Sequence, residues 1–224
     1  MTSGPSLQNP SALRRTTAIN VHVIDLGIGN IRSLTSALSY LGIVHVVTDN
    51  STTLDEATHV ILPGVGSFDA AMRSMERLSF IEPLREYALT QRKPLIGVCL
   101  GMQLLCEGSE EGEHDGLRLI AGRSRKLIAN GESHRKVPHV GFASVYGHSA
   151  VGLFKDIATP SEFYFTHSYA LNSVEGNELN ATWCDHSEPF IAGFQVANIC
   201  GVQFHPEKSQ STGLRLLSNF FECS

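Results

Sequence analysis

Cys99 stands in the run Pro94 to Gln103, PLIGVCLGMQ, with a glycine two residues to either side. An apolar run that ends in G-x-C-x-G and leads into a helical pattern is a nucleophile elbow with Cys in place of Ser. The glycines allow a tight turn and close approach of neighbouring backbone. The helix expected after the cysteine turns its positive end toward the sulfur, which favours thiolate. The same letters also describe a packed core cysteine between turn glycines, the commoner fate of cysteine. A base and an orienting group separate the two. GVQFHPEKS supplies both at the end of another apolar run, as His205 and Glu207 with Pro206 between them. The imidazole can take the thiol proton, and the carboxylate can fix its tautomer and direction. In a doubly wound sheet such strand ends share one rim, where ligands bind. The chemistry implied is attack of a thiolate on a carbonyl carbon.

Such attack needs a place for the developing oxyanion. LPGVGSF, Leu62 to Phe68, also ends an apolar run. An amide of Val65 or Gly66, with the N–H of Leu100, can supply it; a plain glycine turn is the alternative. Losing one donor of this kind costs roughly 10²–10³ in rate. DLGIGNIRS offers Gly27 and Gly29, but Arg32 stands where a third glycine would be, so no dinucleotide fingerprint results. The ten histidines include no HExxH or paired Cys/His pattern, so neither a metal nor a cofactor is expected. Cys99, Cys106, Cys184, Cys200 and Cys223 are odd in number and share no CxxC spacing. With no export signal, reduced thiols and a cytoplasmic location are expected.

The elements that must position these groups follow from the apolar periodicity. Ala18 to Gly27, GIVHVVTD, ATHVILPG and KPLIGVC read as buried strands. Helices are expected from about Asn30 to Tyr40, Ser67 to Arg77 and Ile81 to Thr90. This alternation predicts an α/β fold: an open, mostly parallel sheet with helices on both faces, flavodoxin-like. The second half is β-rich, in LIANGESHRKVPHVGFASVYG, FYFTHSYAL and PFIAGFQVANICGVQFHPE, and a capped helix from Ser209 to Phe221 follows. Residues 1–17, rich in Ser, Thr and Pro, are expected to form a flexible extension, leaving 18–224 as one domain. A net charge of −5, with RSRK at Arg123 to Lys126 the one basic run, argues against a nucleic-acid partner. No apolar stretch reaches the length of a membrane span.

PGVGSF, GVCLGMQLL and GVQFHPEKSQ together resemble the class I glutamine amidotransferases. With DLGIGNIRSL, KVPHVGF and YFTHSY, the chain is similar more narrowly to the HisH-type glutaminase subunits of imidazole glycerol phosphate synthase, from about Ile19 onward. The resemblance implies that Cys99 attacks the side-chain carboxamide of glutamine, with His205 as base and Glu207 holding it. It implies that water then hydrolyses a glutamyl thioester. Gln103 is expected to hold the α-substituents of glutamine, with a solvent-exposed helix residue as the alternative. Gly66 and the backbone near Ser168 and Tyr169 complete the pocket, and His167 is expected as a structural residue of its wall. Asn30, Tyr164 and Lys208 would lie toward a HisF-type cyclase subunit, near the ammonia exit; Lys208 could equally be a solvated lysine.

One segment departs from that pattern. Phe142 and Ala143 stand where the family has tryptophan and asparagine, in a segment that faces the cyclase, so Phe142 is a candidate anchor there. Two other acceptor arrangements stay open: a HisH-like paralogue supplying ammonia for amidination of a surface-polysaccharide sugar, and a free-standing γ-glutamyl cysteine hydrolase.

Overall fold

Buried branched residues on both faces make the centre of the sheet, as a parallel sheet sandwiched between helices requires. A computed structural model describes residues 19–29, 31–129, 136–147, 149, 151–173 and 180–222. The N-terminal extension and Asn30 lie outside the described residues. The elements are β1 (Val21–Ile24), α1 (Arg32–Tyr40), β2 (His45–Thr48), β3 (His59–Gly64), α2 (Phe68–Arg77), α3 (Ile81–Arg85), β4 (Leu95–Cys99), α4 (Leu100–Leu104) and β5 (Gly108–Ser109). They continue with β6 (Arg123–Lys126), β7 (His139–Tyr146), β8 (Ser161–His167), β9 (Tyr169–Leu171), β10 (Asn180–His186), β11 (Glu188–Val196), β12 (Ile199–Val202) and α5 (Gln210–Glu222).

The strand order is β2-β1-β3-β4-β12-β11-β10-β7-β8, with β5, β6 and β9 on a side branch through β11. The first five strands are mutually parallel, and the remaining four run antiparallel to their neighbours. The open α/β fold with a β-rich second half is therefore present. Period-two alternation divides the core. Val21, Val23, Ile61, Ile96, Val98 and Val202 face α1 and α5, where Leu34, Leu38, Leu216 and Phe220 meet them. Ile24, Val60, Leu62 and Leu95 face the other layer, with Phe68, Met72, Met75 and Leu84. Helix α2 buries Phe68, Ala71, Met72 and Met75 at helical spacing, and full burial of each large side chain contributes roughly 1.5–3 kcal/mol.

Three local features add to or correct the expectations. Strand β10, NATWCDH, was not anticipated, although its burial alternates in part along the strand. RSRK, read as a basic run, is strand β6, with Ser124 its one buried residue. Helix α4 has five residues, too few for the aligned dipole expected beside Cys99, although its first free N–H groups remain.

Candidate active site

Cys99 adopts φ 55° and ψ −111°, a region that costs a non-glycine residue about 1–3 kcal/mol. The turn is held because backbone crowds it on both sides. A Cβ on Gly97 would lie 2.5 Å from the Gly101 carbonyl oxygen, and one on Gly101 would lie 1.8 Å from the Leu62 oxygen. Only glycine fits either place. The register Gly64↔Cys99 between β3 and β4 brings the PGVG turn beside the sulfur.

Parallel pairing of Val202 with Val98 carries the chain past β12 to the same rim. His205 follows three residues later, and its Nδ1 lies 2.8 Å from Oε1 of Glu207. Both side chains are buried. Ser209 anchors this turn: its Oγ donates to the His205 carbonyl and accepts from Tyr164 N–H, while His205 N–H donates to the Tyr164 carbonyl. Burial alone would push the His205 pKa down. Hydrogen bonds to Cys99 and Glu207, together with their negative charge, outweigh it and raise the pKa to about 10. With Nδ1 committed to Glu207, Nε2 is left for the sulfur. Cys99, His205 and Glu207 thus lie in one connected group.

A cleft of about 280 Å³ opens on this group, lined by Val65, Gly66, Cys99, Leu100, Gln103, Ser168, Tyr169, His205 and Lys208 among others. The backbone expected to hold an oxyanion and the residues expected to hold glutamine therefore share one space. Gln103 is 4% exposed, so the solvent-exposed alternative is excluded. Its Nε2 donates to the Tyr169 carbonyl at 2.9 Å and to Gln203 Oε1 at 3.0 Å, which uses both amide hydrogens. The Tyr169 carbonyl also accepts from His167 Nδ1 at 2.9 Å, so its two lone pairs are committed to the protein.

Three features escaped the sequence reading. Glu111 also lines the cleft, and its Oε2 accepts the Phe68 N–H that opens α2. This ties the cleft wall to the turn bearing Val65 and Gly66; an acidic residue in the polar run GSEEGEHD carried no local signal. Asp69 secures the same loop, accepting from the backbone of Glu113 and His114 and pairing with the His114 ring at 3.0 Å. Gln203, fully buried, donates Nε2–H toward Cys99 Sγ at 3.8 Å; its place two residues before His205 was the available clue.

His167 lies in the cleft wall within a buried stack. His139 sits over His186 with centroids 4.2 Å apart and over Phe165 at 4.7 Å. His167 Nδ1 faces a carbonyl and must donate, so its Nε2 accepts from His139 Nδ1 at 3.1 Å. Burial lowers the His167 pKa to about 3, with the neighbouring histidines adding to the effect. A neutral ring with both nitrogens engaged is a structural member of the wall.

Phe142, Tyr164 and Lys208 gather at the rim. The Phe142 and Tyr164 rings meet edge to face at 5.5 Å, and Lys208 Nζ lies 5.8 Å from the Tyr164 centroid. Phe142 is 46% exposed. Among the described residues, no helix is long and apolar enough to cross a membrane, and no three His, Cys, Asp or Glu side chains are grouped to hold a metal.

Residues 22–223 match the family model for Glutamine amidotransferase class-I. The chain is 42% identical over 201 residues to the imidazole glycerol phosphate synthase subunit HisH of Desulfitobacterium hafniense, covering 89% of this chain and 92% of that protein. It is 37% identical over 205 residues to subunit HisH 1 of Parasynechococcus marenigrum, covering 91% and 98%. Among solved structures, a glutamine amidotransferase of Thermotoga maritima superposes with a TM-score of 0.59, covering 92% of this chain and 83% of that one; at 16% identity this is a likeness of fold. On these matches the chain belongs to the class I glutamine amidotransferases, within the family of HisH subunits of imidazole glycerol phosphate synthase.

Proposed function

We propose that the chain hydrolyses glutamine at Cys99 and passes the ammonia to a HisF-type cyclase subunit that makes imidazole glycerol phosphate and AICAR. The observation that carries the chemistry is the connected group Cys99, His205 and Glu207, of which Cys99 and His205 line the cleft. His205 takes the thiol proton of Cys99 as Sγ attacks the carboxamide carbon. Charge collects on the carboxamide oxygen, where the N–H of Leu100 and the Val65–Gly66 turn are the available donors. His205 returns the proton to the departing nitrogen and ammonia leaves. His205 then takes a proton from water, whose oxygen attacks the thioester carbon, and the thiolate is released with glutamate. Glu207 takes no proton; it holds the imidazolium.

Substrate selection follows from the cleft walls. The carboxylate of Glu111 suits the α-ammonium of glutamine. Gln103 has given both amide hydrogens to the protein, so its Oε1 remains to accept from the same ammonium. Phe142, Tyr164 and Lys208 form the surface on which the cyclase would sit, and Phe142 keeps the bulk of the family's tryptophan without its indole N–H. The reading is supported by identities of 37–42% over most of the chain to proteins named as HisH subunits.

The test mixes the purified chain with glutamine, alone and with each candidate cyclase and its substrate. Glutamate release that rises with the histidine-pathway cyclase is expected. A rise only with a sugar-amidinating partner would move the assignment to the paralogue, and release indifferent to every partner would favour a free-standing hydrolase.

A further inference from the structure

Gln203 is fully buried one residue past β12 and joins Gln103 to Cys99. An amide side chain can be turned either way, so its direction has to come from its partners. Here the partners decide it. Gln103 Nε2 faces the Tyr169 carbonyl, which can only accept. Gln103 must therefore present its NH2 to Gln203, and Gln203 must answer with Oε1. The NH2 of Gln203 is then directed at Cys99 Sγ, 3.8 Å away. Turning Gln203 over would set two NH2 groups against each other in a dry interior.

We propose that Gln203 is a positioning residue for the Cys99 sulfur, favouring its thiolate form, and that Gln103 sets which end of the Gln203 amide reaches it. The proposal rests on Cys99 being the nucleophile and extends that reading by one residue. Cys99 Sγ also lies 3.8 Å from the Thr166 carbonyl, to which only a protonated thiol can donate. The sulfur thus faces one acceptor that favours the thiol, the Thr166 carbonyl, and two donors that favour the thiolate, the Gln203 amide and the titratable ring of His205. Gln203 opposes Thr166, and hydrogen bonding to the charged form lowers an acid's pKa. The chain from Tyr169 through Gln103 and Gln203 also links the cleft wall to the reacting atom.

The test follows Cys99 alkylation by iodoacetamide against pH in the full-length chain, read by peptide mass spectrometry. In Gln203→Met, which keeps length and bulk but donates nothing, the midpoint is expected to move to higher pH by about one unit, a tenfold loss of thiolate on the acid side. Gln103→Met should move it in the same direction by less, and the double variant should match Gln203→Met, because Gln103 acts through Gln203. An unchanged midpoint in a folded Gln203→Met chain, or strictly additive shifts, would overturn the proposal. Should Gln203→Met fail to fold, an unchanged midpoint in Gln103→Met overturns it instead. Failure of the underlying reading looks different: Cys99→Ala would keep hydrolysing glutamine.

Discussion

His205 Nδ1 and Glu207 Oε1 are held 2.8 Å apart with a single proline between them in the chain. Pro206 opens a one-turn 3₁₀ helix, and Ser209 closes it by donating to the His205 carbonyl. The carboxylate therefore meets the imidazole through local geometry, whereas the sulfur arrives from another strand.

Glu207→Gln should be milder in kcat than Cys99→Ala by about 10²-fold, since it leaves nucleophile and base in place. Steady-state glutamate release measures both, and equal losses would remove the orienting role from Glu207.

The pH dependence of stability has a worked sign. His205 binds its proton more tightly folded, with a pKa raised to about 10 against an ordinary 6.5, so its contribution is complete below 6.5 and fades as pH rises toward 10. His167 does the reverse: lowered to about 3, it costs stability as pH falls from 6.5 toward 3. Together they place a maximum near 6.5. Urea unfolding across this range should show it, and Glu207→Gln should flatten the alkaline limb alone.

Gly101→Ala should be among the most damaging single-methyl changes in the chain, because the added carbon would sit 1.8 Å from the Leu62 oxygen. Overpacking against side chains costs typically about 1–3 kcal/mol, and backbone yields less readily. Thermal unfolding should fall by several degrees, with glutaminase activity lost alongside. Gly66→Ala meets open space and suffers through its φ of +99° instead.

Thiol reagents should reach Cys99 first. Burial pushes the Cys106 thiol up to about 12, with Glu107 adding to it, and Cys184 and Cys200 are buried. Peptide mapping after limited alkylation checks the order; labelling of Cys106 ahead of Cys99 would count against Cys99 as the nucleophile.

Much of the site was legible in one dimension because its parts are short and strained. GVCLG needs glycines wherever backbone comes within van der Waals distance, and a strand-end His-Pro-Glu pairs within three residues. Strands β1, β3, β4 and β12 were readable because burial on both faces demands unbroken apolar runs. Strand β10 was not, since an antiparallel strand with one wetter face mixes Asn, Thr, Asp and His among its residues.

By itself, then, the sequence singled out a candidate nucleophile, base and orienter and determined the parallel centre of the sheet, all from local spacing and apolar pattern. The tertiary structure alone decided that Glu111 joins the cleft, that Gln103 is buried with both amide hydrogens spent, and that Gln203 faces the sulfur. Those facts depend on contacts between residues tens of positions apart in the chain, up to 104 for Gln203 and Cys99. The direction of a buried amide follows from which acceptor stands opposite it, and only the folded chain brings that acceptor into place.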